Sequence, residues 1–346
     1  MDLVVQSPDE LVAALPHVLG FKPEESIVLV PFTRGLPVAR ADLPRTDTER
    51  EKLLRNVLRP YGRNAHPGAM VAIVCVTEDR RNAELSSQRL STAMERVGIQ
   101  VPLRLWANDD RWVEFNSGQA GLRNEDTASK IAALTVAAGA KQPASSRQSL
   151  AVSMIGDRAP LAEALPRVRA QVEQKNTPSA ELEWALGRID QFHIDGNRLS
   201  HNDAARLLVA VEHIPTRNAV WNDISRDNTS SNIALWTDLT RRAPDVVRTQ
   251  AASMLAFSSW LGGDGARAWC ALDQVPPGGQ RYAMAALVAT AVQEGLPPSE
   301  WEANSQEMRA FASALDETFV PSPSGHRLHR DVPPNPGGPN RGTPSR

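Results

Sequence analysis

The hydrophobic period of this chain changes once, at Phe115, and does not change back. Before that point, short apolar runs of strand length alternate with helical stretches. Ile27 to Pro31, Val38 to Leu43, Ala69 to Val76, Val101 to Trp106 and Arg111 to Phe115 read as strands, the second pairing with the first through a turn at Arg34-Gly35. Residues 47–59 and about 80–97 read as helices, the first broken by Pro60-Tyr61-Gly62 and the second ended by Gly98. This alternation indicates α/β layer packing. Beyond Phe115 the pattern is helical. Asp126 is placed to cap a helix through about Ala138, and further helices are expected near 157–174, 178–193, 201–213, 216–224, 230–242, 246–261, 264–275, 280–294 and 299–317. Pro166 and Pro178 are expected to break or start helices.

The expected organisation is therefore an α/β domain over residues 1–140, a polar linker over 141–150 marked by Pro143, Ser145 and Ser146, and an all-α domain over 151–320. The tail, 321–346, is rich in proline and glycine and holds almost nothing apolar. It lacks the surface to offset its ordering entropy, so disorder is expected there.

Two separated motifs carry the sharpest structural signals. Ser7-Pro8-Asp9-Glu10 forms a capping box, with Ser7 as N-cap, Pro8 at the first helical position and Glu10 reaching back. Leu11, Leu15, Val18 and Leu19 then make one apolar face, which Gly20 closes. Near the other end, Ala256, Gly263-Asp264, Ala268, Leu272 and Val275 fall at the offsets of a tetratricopeptide helix pair, whose small residues let two antiparallel helices touch. A solenoid needs about three such units. Only one is visible, so a single hairpin within a helical bundle is expected.

Charge and cysteine content restrict the function classes. With 38 Lys and Arg against 40 Asp and Glu, the formal charge is -2, and no global footprint for nucleic acid or an anionic membrane follows. Lysine is confined to Lys22, Lys52, Lys130, Lys141 and Lys175, and scattered arginines supply the rest of the positive charge. Two distant cysteines, Cys75 and Cys270, exclude a disulfide framework and argue against a zinc site. No basic-then-apolar leader stands at the N-terminus and no run approaches about 18 apolar residues, so a cytoplasmic protein is expected.

Three constellations are candidates for chemistry. His17, Glu24, Glu25, Arg40 and Asp42 could converge at the mouth of the first strands, where His17, Arg40 and Asp42 would serve acid–base chemistry or an anionic ligand. Arg217, Trp221, Asp223, Arg226, Asp227 and Trp236 combine guanidinium groups with indoles, a pattern that clamps anionic or flat ligands and that also makes helix-packing cores. With Trp260 and Asp264, the residues Arg217, Trp221, Arg226 and Trp236 are the candidate ligand or interface set. The third, Asp190, His193, Asp195, His201 and Asp203, imitates a metal site. Aligned on Asp195-Gly196 as a calcium loop, it lacks the bidentate terminal Glu, so it reads as a solvated turn with Ser200 capping the next helix. No phosphate-loop, dinucleotide, zincin or nucleophile-elbow motif is found, and no cofactor is expected.

The opening Ser7-Pro8-Asp9-Glu10-Leu11 through Leu19-Gly20-Phe21, with Pro23 and Glu25-Ser26, resembles the opening of a large, mainly actinobacterial family carried under a domain-of-unknown-function label. Arg217 to Trp221, Leu235-Trp236-Thr237, Arg241-Arg242-Ala243-Pro244, Leu255-Ala256-Phe257, Trp260 to Ala268 and Gly295 to Trp301 are similar as well, in order, over most of residues 1–302. The resemblance implies a cytoplasmic protein and carries no catalytic residue across. Members place a cysteine-containing, proline-rich segment after the aromatic strand. Here Arg111-Trp112-Val113-Glu114-Phe115 runs into Asn116-Ser117-Gly118, which has no cysteine.

Two function classes follow. The favoured one is a non-enzymatic binding or regulatory protein with a protein partner, because the helical half has repeat-like chemistry and no reactive constellation. The alternative is an enzyme or sensor acting on a small anionic ligand at the α/β domain. A pocket joining His17, Arg40 and Asp42 would favour the alternative, and an open apolar groove on the helices would favour the first.

Overall fold

In a computed structural model of the chain, the structure describes residues 5–301 except 34, 139–141, 176 and 280–281. The expected tail and the end of the expected 299–317 helix lie outside the described residues.

The α/β region is a mixed six-stranded sheet of order β2-β1-β3-β4-β5-β6. Its strands are β1 (Ser26–Pro31), β2 (Ala39–Asp42), β3 (Met70–Val76), β4 (Gln100–Ala107), β5 (Arg111–Glu114) and β6 (Ala120–Leu122). Only β3 and β4 run parallel, joined by helix α3 (Arg80–Arg96). Side-chain alternation divides the sheet into two faces. Ile27, Leu29, Ile73, Cys75 and Trp106 pack against α2 (Asp47–Arg63) and α3. Val28, Ala72, Val74 and Leu105 face the other way, into a core shared with α1 (Pro8–Leu19) and the helical half.

The helical half holds α5 (Arg147–Val152), α6 (Ala159–Lys175), α7 (Pro178–Asp195), α8 (His201–Ala210), α9 (Ile214–Asp223), α10 (Thr229–Arg242), α11 (Asp245–Leu261), α12 (Gly265–Leu272) and α13 (Ala283–Gln293), after α4 (Glu125–Ala137). Helix α11 is its axis. Its residues Ala251 to Leu261 are all buried, and it packs on α10, α12 and α13.

The structure differs from the sequence expectations at seven points. The chain returns to the sheet after Phe115 as β6, whose three residues, Ala120-Gly121-Leu122, are too few to show a period. Helix α2 runs through Pro60 to Arg63, because Leu53, Val57 and Tyr61 are buried along it and hold it to the sheet. Helix α6 likewise continues through Pro166, with Leu161, Ala164, Leu165 and Val168 buried on both sides. Asn124, not Asp126, caps α4, accepting the Asp126 N–H at 2.8 Å. Glu10 reaches past the cap to the Gln6 N–H, at 2.8 Å, while Ser7 accepts from the Glu10 N–H as expected. Val18 is exposed rather than part of the buried face of α1. Within the polar stretch 141–150, Ala144 forms a bridge to Phe21 and α5 begins at Arg147.

Candidate functional site

The turn after α11 is dictated by local chemistry. The Asp264 carboxylate accepts the Arg267 N–H at 2.8 Å and so caps α12. Gly263 before it takes φ +84°, a conformation open to glycine. On the opposite side, Gly20 at φ +75° closes α1 and sets where Phe21 emerges. Strand β2 then runs past them as the free edge of the sheet.

Between these elements lies a cavity of about 570 Å³, lined by Phe21, Arg40, Asp42, Arg147, Asp264 and Trp269, among others. The sequence-predicted Arg40 and Asp42 of the α/β region thus meet the sequence-predicted Asp264 of the helical half. A second cavity of about 250 Å³ lies beside it, with Val38, Gly263, Gly265 and Val292 in both walls. Its own lining is apolar, with Leu36, Pro37, Trp260, Leu296, Pro297 and Pro298. Together they form one cleft with a polar end and an apolar end.

The charges at the polar end are paired. The Arg40 guanidinium bonds Asp42 at 2.6 Å and the Ser26 hydroxyl at 2.8 Å, and lies 6.0 Å from the Phe21 ring centre. Arg147 pairs with Asp273 at 3.3 Å. Asp264 pairs with Arg267 at 2.9 Å. Beneath this array Cys270 is buried, and burial pushes its thiol pKa up.

His17 does not join Arg40 and Asp42. Its Nδ1 lies 3.0 Å from the Thr135 hydroxyl of α4, and burial holds its pKa below the usual histidine value. Trp221 and Trp236 are fully buried. Trp221 stacks on Trp301 at 5.5 Å, and Trp236 donates to Asn232 at 3.2 Å. Arg217 is buried too, donating to the Asn218 side chain at 2.7 Å and lying 5.4 Å from the Tyr282 ring centre. These residues build the core, whereas Trp260 reaches the apolar end of the cleft and donates to the Leu296 carbonyl at 3.1 Å. Arg226 is exposed, outside the cleft lining.

The metal look-alike does not close. Asp195 accepts from the Asn197 N–H and from Gln191, and Asp203 lies 3.7 Å from Arg188. Among the described residues, no group of three or more His, Cys, Asp or Glu could hold a metal ion.

Sequence reasoning missed Arg147, which had been assigned to a linker, and a second pocket. That pocket, of about 490 Å³, lies outside the carboxyl end of β3 and is lined by Glu25, Arg45, Arg50, Asp79, Arg81 and Asn82. Glu25 is held at φ +40°, the one non-glycine residue with positive φ among those described. It accepts from Thr77 at 2.7 Å and pairs with Arg45 at 3.7 Å. The signal was present as three arginines flanking a strand end, but they are spread over 37 positions.

A family model described as "Domain of unknown function (DUF4192)" matches residues 8–299, and the chain belongs to that family. No curated protein and no solved structure matches it. Among the described residues, no helix is long and apolar enough to cross a membrane.

Proposed function

We propose that this member of the DUF4192 family is a cytoplasmic, non-enzymatic binding or regulatory protein, and that its ligand site is the cleft between β2 and the turn that opens α12. The observation that carries this reading is the meeting of Arg40 and Asp42 with Asp264 across one cavity of about 570 Å³. The apolar cavity of about 250 Å³ beside it extends the lining beyond the charged groups, which suits a binding surface better than a compact reaction centre. The ionisable groups at its polar end sit in ion pairs, which suits orientation of a ligand more than proton transfer.

The reading also keeps α11 and α12 as one tetratricopeptide-like hairpin, supported by the buried Ala256 and Ala268 on either side of Gly263-Asp264. It keeps the division into an α/β domain over 1–140 and a helical domain over 151–320, whose residues beyond 301 lie outside those described, with the cleft drawing residues from both.

The alternative, an enzyme or sensor for a small anionic ligand at the α/β region, is favoured by a different observation. Arg45, Arg50 and Arg81 share the pocket outside the carboxyl end of β3, the end at which ligands of open α/β sheets bind.

The test is a thermal-shift screen against nucleotides, metabolites and peptide pools, run on the wild type and on Ala266→Trp, which fills the cleft. A ligand whose stabilisation disappears in Ala266→Trp supports the cleft. Stabilisation that survives Ala266→Trp but is lost in Arg45→Gln/Arg81→Gln moves the site to the second pocket.

A further inference from the structure

The sheet register shows which backbone groups face the cleft. The Leu43 N–H donates to the Glu25 carbonyl, and the β1–β2 partners are Ser26↔Asp42, Ile27↔Ala41, Val28↔Arg40 and Leu29↔Ala39. In an antiparallel ladder, hydrogen-bonded and non-bonded pairs alternate. The bonded pairs are therefore Glu25/Leu43, Ile27/Ala41 and Leu29/Ala39. The other side of β1 agrees. The Phe32 N–H donates to the Met70 carbonyl, which turns Ser26, Val28 and Val30 toward β3 and leaves Ile27 and Leu29 for β2. The N–H and C=O groups of Arg40 and Asp42 must then point outward, off the edge of the sheet. No backbone hydrogen bond to either residue occurs on that side among the described residues.

Edge strands with open ladder groups are normally short, charged or covered. Here five consecutive residues, Val38 to Asp42, line the cavity. A strand seen face-on would contribute every second residue, so the cavity meets the strand edge-on. The apolar cavity continues along Gly35 to Val38. The four residues of β2, Ala39–Asp42, span about 13 Å. The facing wall carries the small residues Gly263, Gly265 and Ala266.

We infer that the cleft binds an extended peptide segment of a partner protein, added to β2 as a seventh strand. The inference rests on the cleft being the ligand site and names what enters it. Outward donors and acceptors at Arg40 and Asp42 repeat at the two-residue spacing that another main chain matches. The ion pairs Arg40–Asp42, Arg147–Asp273 and Asp264–Arg267 leave the polar end electrically balanced, so the matching segment is uncharged along its middle. Leu36, Pro37, Leu296 and Trp260 offer the other end an apolar side-chain seat.

The experiment uses a heptapeptide phage library panned against the full chain, with the selected peptide resynthesised in acetylated, amidated form. Amide hydrogen exchange and binding affinity are then measured on the wild type, Asp42→Pro, Asp42→Ala and Ala266→Trp. Proline at an outward-facing edge position leaves the β1 ladder intact but removes the donor. The expected result is that peptide protects the Arg40 and Asp42 amides. Asp42→Pro should then bind about tenfold or more weaker than Asp42→Ala, which loses the same carboxylate but keeps the donor. Equal weakening by Pro and Ala, with binding still lost in Ala266→Trp, overturns strand addition while leaving the cleft as the site. A peptide indifferent to Ala266→Trp overturns both readings, and a library that yields no binder overturns the peptide. Protection of both amides in the chain alone would mean that its own segment covers the edge, and would overturn a partner peptide.

Discussion

Gly20, which closes the first helix, and Asp264, which opens the twelfth, face each other so closely that a Cβ on Gly20 would lie 3.4 Å from the Asp264 carboxylate. Two motifs 244 positions apart in sequence thus meet in the fold. Gly20 also adopts φ +75°, in the left-handed region. Gly20→Ala should cost about 1–2 kcal/mol from backbone conformation alone. Urea melts check this, and a neutral result would mean that the end of α1 is free to rearrange.

Asp264 holds the helix as well as lining the cleft. Asp264→Ala should cost about 0.5–2 kcal/mol, the range for a lost cap, while Asp264→Asn, which still accepts the Arg267 N–H, should retain most of the stability. If both variants were equally destabilised in denaturant melts, the charge pairing with Arg267 would be the dominant contribution instead of the cap.

Ala268 is fully buried on α12 where it packs against α11. Ala268→Leu should overpack this contact and cost about 1–3 kcal/mol. A near-neutral outcome in the same melts would remove the tetratricopeptide-like description of the hairpin.

The caps Ser7 and Ser200 were legible in the sequence because they are local: each accepts the N–H three residues on, a contact set by adjacent dihedrals. The equivalent caps Thr46 and Thr177 were not. The Gly295-Leu296-Pro297-Pro298 motif was visible as a signal, yet its reason was not. Gly295 adopts φ +62°, and a Cβ there would meet Pro37 at 2.9 Å and Pro60 at 3.2 Å, both from the other half of the chain. The continuation of α2 through Pro60 was hidden for the same reason. Burial of Tyr61, whose hydroxyl donates to the Pro37 carbonyl, is a long-range contact that outweighs the local proline signal. Of the site, the charged residues could be named from sequence, but their grouping could not. Arg40 and Asp42 were paired with His17 on proximity along the chain, whereas the fold turns His17 toward Thr135 and brings in Arg147 from α5.

His17 gives the protein a pH signature away from the carboxylate range. Burial lowers its pKa in the folded state from the ordinary 6.5, so near and below that pH the unfolded chain binds more protons than the native one. Stability should therefore fall as the pH drops from about 7 through 6.5 toward the lower folded-state value, and His17→Gln should flatten that segment of the profile. Chemical melts at half-unit pH steps check the slope. A profile unchanged by His17→Gln would show that its burial does not set it.

Both thiols should be silent in the native state. Cys75 is fully buried with its pKa pushed up to about 12, and Cys270 is buried beneath the cleft with its pKa raised. Iodoacetamide at pH 8 should label neither until the protein is unfolded. Rapid labelling of Cys270 alone would mean that α12 opens away from α11 in solution.

The most direct test of the cleft as ligand site is hydrogen–deuterium exchange on the wild-type chain with a ligand that raises its melting temperature. The account predicts joint slowing of exchange in residues 36–43 and 262–269, the two walls that carry Arg40, Asp42 and Asp264. Slowing confined to residues 45–50 and 77–85, around Arg45, Arg50 and Arg81, would contradict it and place the site at the carboxyl end of β3.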